Sequence, residues 1–297
     1  MTGFDSRRIG PWPRAALAAM AMLACLSVSG AAELDSKPAR DLFGAVTGPS
    51  TGSPKPIGFF AKGCLAGAVS LPLDGDDWQV MRLSRNRNWG TPALVKTIEH
   101  LAHDAHKAGW PGLLIGDMSQ PRGGPMKTGH ASHQIGLDAD IWLTPMPTHT
   151  LSRAEREEMA AVNVVAPDRL GVDHSVWTPA HMALIKAAAL LPQTTRIFVN
   201  PAIKKELCRT AGPDRSWMTK VRPYWGHDDH IHIRLACPEG TSSCEDQEAP
   251  PEGDGCAEKD LAYWFQPGVL HPTPGKPRPP LPLSALPEAC KALLLER

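Results

Sequence analysis

Apolar residues return every three or four positions between Thr91 and Gly109, where Leu94, Val95, Ile98, Leu101, Ala102 and Ala105 share one face. This spacing predicts a helix that stops at Gly109, with His100, His103 and His106 on its solvated side. Leu113-Leu114-Ile115 predicts a short buried strand, and the Gly- and Pro-rich stretch 119–129 a loop. Thr178 and Pro179 form an N-cap and first-turn pair for a helix ending before Pro192. Arg196-Ile197-Phe198-Val199 reads as a strand and Pro201 to Arg209 as a short helix. From His230 to Leu235 polar and apolar residues alternate, the pattern of a half-buried strand. Short strands mixed with helices predict an α+β fold, a small antiparallel sheet with flanking helices.

The ends are written in other compositions. Residues 33–57 are rich in Pro, Gly and Ser and predict an extended N-terminal segment before a dense domain over 58–237. Residues 238–297 form a Pro-rich tail without periodicity apart from Leu261 to Phe265. Such a tail buries little by itself and is expected to be extended and stapled to the domain by disulfides. At the start, Arg7, Arg8 and Arg14 precede a small, apolar run from Ala15 to Ala32. This predicts an export signal over 1–32, cleaved near residues 31–32, with an uncleaved membrane anchor as the alternative. Beyond it no stretch is long and apolar enough to span a bilayer.

With Cys25 lost in the signal, six cysteines are left: Cys64, Cys208, Cys237, Cys244, Cys256 and Cys290. An even number in an exported chain predicts three disulfides, with the pairing open. Cys237 and Cys244 are close enough to close a small loop. No CxxC pairs exist to build a cysteine zinc site. Formal net charge is zero, with 31 basic and 31 acidic residues, so nothing steers the chain to nucleic acid.

Of twelve histidines, five fall in two short stretches, 130–140 and 227–232. In a strand, His230 and His232 point to one side and Ile231, Ile233 and Leu235 to the other. In the first stretch Leu137, Ala139 and Ile141 alternate with Asp138 and Asp140, which places both carboxylates on one face. Gly136 interrupts the strand, so His133 can turn toward the same point. Two imidazoles and one carboxylate leave a fourth tetrahedral position open, the mark of a catalytic zinc. Zinc polarises a carbonyl and makes water a nucleophile near neutral pH. HxH alone is common; the combination with HxxGxxxD and the extra His and Asp beside each carries the argument. No GxSxG nucleophile is present, and the cysteines are expected to be oxidised.

These stretches resemble the penicillin-insensitive murein endopeptidases, zinc peptidases of the lysostaphin, D-Ala-D-Ala metallopeptidase and hedgehog fold group. The resemblance covers most of the chain after residue 32. Its strings are Leu114-Ile-Gly-Asp-Met118, Gly129-His-Ala-Ser-His-Gln-Ile-Gly-Leu-Asp138, Thr195-Arg-Ile-Phe-Val-Asn-Pro-Ala-Ile203, Lys220-Val-Arg-Pro223 and Gly253-Asp-Gly-Cys256. It implies that His133, Asp140 and His232 hold one zinc, with His130 also at the metal. It implies His230 as base or transition-state stabiliser and His227 as its assistant. Asp138 becomes a support or substrate contact. Asp117, from its place after the buried strand 113–115, is expected to orient a ligand histidine or to cap locally. A second family metal would use Asp168, but the histidine expected three residues on is Gly171 here, with His174 further along. That departure weighs against a second ion.

The resemblance further implies a periplasmic enzyme acting on peptidoglycan at the D-alanyl–meso-diaminopimelyl cross-link. Two rivals follow from the same residues. A zinc D,D-carboxypeptidase would trim stem-peptide ends, and an inactive zinc-stabilised wall-binding module would hold metal without turnover.

Overall fold

The computed structural model describes residues 33–273, 275 and 279–296. The predicted export signal lies outside these residues.

Among the described residues the chain opens on a helical turn at 33–36, followed by helix α1 (Ala39–Phe43). Strands β1 (Lys55–Phe59) and β2 (Lys62–Ala66) then pair as an antiparallel hairpin. Strand β3 (Val69–Ser70) is followed by β4 (Asp74–Gly75) and β5 (Trp78–Val80), and then by β6 (Trp89–Gly90), which pairs with β3. Helix α2 (Pro92–Lys107) follows the predicted apolar stripe. Thr91 Oγ1 accepts from the Leu94 N–H at 3.2 Å as its N-cap, which is typically worth about 1 kcal/mol. It ends before Gly109, whose φ of +91° suits glycine alone. Leu94, Ile98 and Leu101 are buried on its inner face, while His100, His103 and His106 are exposed as predicted. Truncating Leu101 to Ala would leave a cavity costing roughly 2–5 kcal/mol.

Strands β7 (Leu113–Ile115) and β8 (Asp138–Trp142) flank the long loop that carries the first histidines. After them come α3 (Arg153–Glu158), α4 (Pro179–Leu190), β9 (Thr194–Val199), α5 (Pro201–Thr210), β10 (Val221–Pro223) and β11 (His230–Leu235). Helix α4 opens at Thr178 as predicted. Its third residue, His181, accepts the Thr178 N–H at its Nδ1 and completes a capping box from inside the core.

The main sheet has seven strands in the order β10-β9-β11-β8-β7-β5-β4. Its centre, β9-β11-β8-β7, is antiparallel as expected. Its flanks are not: β10 runs parallel to β9, and β5 parallel to β7. The sheet is therefore wider and more mixed than the sequence pattern suggests, because β4, β5 and β10 are too short to show a period. One face carries Ile141, Ile197, Ile231, Ile233 and Val199 into the core beneath α2 and α4. The other face carries the polar residues of the same strands. On it His232 lies opposite Asp140, and Arg234 opposite Asp138.

The two ends differ from expectation. The segment before residue 58 is not wholly extended, since it contains α1 and most of β1. The tail contains helices α6 (Glu258–Ala262), α7 (Pro267–Leu270) and α8 (Glu288–Leu295). Leu283, Leu286, Cys290 and Leu293 pack with Ala39, Phe43, Ile57 and Cys64 into a second apolar core. The tail thus buries more than its proline content suggests. The six cysteines among the described residues are paired, as Cys64–Cys290, Cys208–Cys256 and Cys237–Cys244. The first bond joins β2 to α8 and the second joins α5 to the segment before α6.

Candidate active site

The β8–β11 pair brings the two histidine stretches together. Gly136 has a φ of +70°, and a Cβ there would come within 2.3 Å of a Leu65 methyl. Glycine is required for the loop to turn into β8. His133 itself has a φ of +66°, a region that side chains rarely adopt, and it is fully buried.

Around Asp140 the distances are short. His133 Nε2 lies 3.3 Å from Asp140 Oδ1, His232 Nδ1 lies 3.6 Å from the same oxygen, and His130 Nε2 lies 3.4 Å from Oδ2. His130, His133 and Asp140 each offer a ligand atom within 4.8 Å of the others. His232 joins from the opposite strand, its ring 4.5 Å from that of His133. Two of these atoms, His133 Nε2 and Asp140 Oδ1, are buried without any hydrogen-bond partner. An unsatisfied buried polar atom typically costs about 1–3 kcal/mol, so two orphans facing each other mark a place built for something else. Two imidazole nitrogens and a carboxylate oxygen are a zinc donor set.

The surroundings fix how each group points. His133 Nδ1 donates to the Met118 carbonyl at 2.8 Å, which leaves the lone pair on Nε2. His232 Nε2 lies 3.2 Å from Asp138 Oδ1, which turns Nδ1 toward Asp140. Asp138 is buried, accepts the His133 backbone N–H at 3.0 Å, and is gripped by Arg234. Burial opposes its ionisation, but Arg234 and His232 overcome this and hold the carboxyl well below the usual range. Asp117 is likewise buried and takes His130 Nε2 at 3.0 Å, Arg85 at 3.0 Å and Arg87 at 2.7 Å. Against the burial penalty, His130 and the two guanidiniums lower it to about 2.

Asp140 also stays ionised, since three histidines outweigh its burial. Full burial and His133 push His232 down to about 3, against Asp138. Burial and His230 push His227 down to about 4. His230 goes the other way, to about 9, because Asp140 and Asp229 overcome its burial. Its Nδ1 is 2.5 Å from Asp229 Oδ1, and its ring is 4.9 Å from His227. His227 has a φ of +54° and bonds the Trp225 carbonyl at 2.8 Å.

The cluster opens onto a cleft of about 540 Å³ lined by His130, His227, His230 and His232 with Phe198, Tyr224 and Trp225. On its other side, Arg82, Arg85, Trp142 and His230 line a second hollow of about 330 Å³.

Residues 56–295 match the family described as penicillin-insensitive murein endopeptidase. The chain belongs to this family. Endopeptidases of that name share 47% identity over 249 residues in Yersinia enterocolitica serotype O:8 / biotype 1B, covering 84% of this chain and 88% of the relative. The Klebsiella pneumoniae subsp. pneumoniae protein shares 46% over 251 residues, covering 84% and 90%. The Haemophilus influenzae protein shares 46% over 235 residues, covering 78% and 81%. As a member of the penicillin-insensitive murein endopeptidase family, the chain is a peptidase.

Of the predicted residues, His130, His133, Asp138, Asp140, His227, His230 and His232 gather at one site, with Asp117 behind His130. Asp168 does not join them; it sits on an exposed turn and accepts the Leu170 N–H at 2.9 Å. The sequence reading missed Arg234, although its alternation with His230 and His232 puts it on their face. It also missed Arg85 and Arg87, which carry no local signal. Tyr224 and Trp225 are in the cleft, 47% and 42% exposed.

Proposed function

We propose that this chain is an exported, zinc-dependent murein endopeptidase that hydrolyses the D-alanyl–meso-diaminopimelyl cross-links of peptidoglycan in the periplasm. The observation that carries the metal is the pair of orphaned buried atoms, His133 Nε2 and Asp140 Oδ1, facing each other beside His232. Family membership supports the substrate, since the relatives are named for murein. In this reading residues 1–32 are the export signal, 58–237 the catalytic domain and 238–297 the tail that closes it.

His133, Asp140 and His232 would hold one zinc, with His130 within reach. When bound, zinc polarises the scissile carbonyl and supplies an activated water. Asp138 keeps the His232 ring turned toward the metal, and Arg234 keeps Asp138 in place. Asp117 holds His130 by Nε2, the same nitrogen that faces Asp140, so His130 would join the metal only on releasing that bond. His230, braced by Asp229, holds and moves the proton at Nε2, first at the nucleophile and then at the departing amine. The neighbouring His227, neutral through its burial, assists. No serine nucleophile takes part, so a β-lactam has nothing to acylate.

The test is incubation of purified protein with cross-linked muropeptide dimers, with and without a chelator. The expected result is conversion to monomers, lost on chelation and restored by zinc. Release of free D-alanine from a monomeric pentapeptide, with dimers intact, would overturn the bond assignment.

A further inference from the structure

Beside the histidine cleft lies a cavity of about 350 Å³ lined by Arg169, Trp225, Trp264, Val269 and His271. Trp225 and Gly226 line both hollows, so the two adjoin. The far wall comes from the tail: Trp264, beside the helix α6, and the helix α7. Trp225 donates its indole N–H to the Val269 carbonyl at 3.3 Å, and its ring lies 4.9 Å from that of Trp264. Tyr224 and Tyr263 extend the aromatic surface, each 47% exposed. Exposed aromatic surface of this extent at a cleft marks a binding site.

We infer that this cavity seats an amino sugar of the murein glycan strand, so that the enzyme grips sugar and cross-link together. The inference rests on the murein reading above. The stem peptide of murein carries methyls, carboxylates and an ammonium, and none presents a face as wide as an indole. The pyranose ring does, with its C–H faces and acetamido methyl. Arg169, only 3.9 Å-paired to Asp228, and the exposed His271 supply donors at the rim for hydroxyls and the acetamido oxygen. The spacing agrees as well. Ring-to-ring steps of 5.8, 5.4 and 4.9 Å lead from His227 through Tyr224 and Trp225 to Trp264. An extended tetrapeptide stem reaches at most about 13–14 Å, which exceeds the two steps from His227 to Trp225 at the wall of the cavity. A sugar in the cavity and a cross-link at the histidines therefore fit one substrate.

The experiment compares two substrates: cross-linked dimers carrying their disaccharides, and the same dimers stripped of sugar by an amidase. Wild-type protein should show the lower KM on the sugar-bearing dimer. Trp264→Ala should erase that preference, raising KM there about 3- to 10-fold, as expected for one aromatic contact, with kcat little changed. Trp264→Phe should restore part of it. Equal losses on both substrates would make Trp264 a mere prop of the cleft, and no wild-type preference would make the cavity idle; either result overturns the inference. Cleavage of neither dimer would instead overturn the murein reading itself.

Discussion

Arg234 grips Asp138 with two parallel hydrogen bonds, Nε to Oδ1 at 2.8 Å and Nη2 to Oδ2 at 3.0 Å, both groups buried. The pair spans adjacent strands and stands behind His232. Replacing Arg234 by Met would leave a buried carboxylate uncompensated, at a cost of about 3–5 kcal/mol in stability. Arg234→Lys should fold better but cannot make the fork, so the His232 ring loses its support. Zinc affinity should fall about 10–100-fold in the Lys variant, measured by competition with a chromogenic chelator.

The ligand assignment predicts a split between metal content and turnover. His133→Ala, Asp140→Ala and His232→Ala should each lose zinc, measured by elemental analysis of the purified protein. His230→Ala should retain zinc and lose about 10²–10⁴-fold in kcat, as removal of a general acid–base group typically does. Retention of full zinc by His232→Ala would overturn the ligand set.

Penicillin should leave dimer cleavage unchanged while a chelator abolishes it. Inhibition by penicillin at stoichiometric acylation would require a nucleophile that the cluster does not contain.

Lys204 predicts an alkaline stability slope. It is buried, donates to the carbonyl oxygens of Met218 and Asp254, and is pushed down to about 7 by burial and by Arg222. An unfolded lysine keeps its proton to about pH 10.4, so between these values the unfolded state binds more protons. Stability should therefore rise as pH increases through that window. Lys204→Met should flatten the slope in urea titrations at successive pH values.

The disulfides should not contribute equally. Cys64–Cys290 spans 226 residues and Cys237–Cys244 only 7. On loop-closure entropy the long link is worth about 5 kcal/mol and the short one about 2 kcal/mol. The double variant Cys64→Ala/Cys290→Ala should lower the urea midpoint more than Cys237→Ala/Cys244→Ala.

Much of this site was legible because strand alternation is a strict code: it put Asp138 with Asp140 and His230 with His232 on single faces. What the alternation could not give was which residue stands opposite which across β8 and β11. Without that register, Arg234 opposite Asp138 was invisible. Arg85 and Arg87 reach Asp117 from more than two dozen positions earlier, in a stretch with no period to read. In the tail, Leu283, Leu286, Cys290 and Leu293 do keep a spacing of three or four. The prolines around them hid it, and their partners Ala39 and Phe43 sit in a segment equally poor in pattern. The edge strands β4 and β10 are too short for any periodicity.

Arg122, in the loop that runs to His130 and His133, donates to the carbonyl oxygens of Leu293 and Glu296, 2.5 and 2.9 Å away, at the end of α8. Ribosomes deliver a chain in order, so the histidines emerge long before the helix that braces their loop. Strand β2 also holds this loop, with the Leu65 N–H donating to the Arg122 carbonyl at 3.0 Å, and α8 adds the second brace. The last segment of the chain is thus part of what holds the histidine loop in place, through Arg122 and through the Cys64–Cys290 bond.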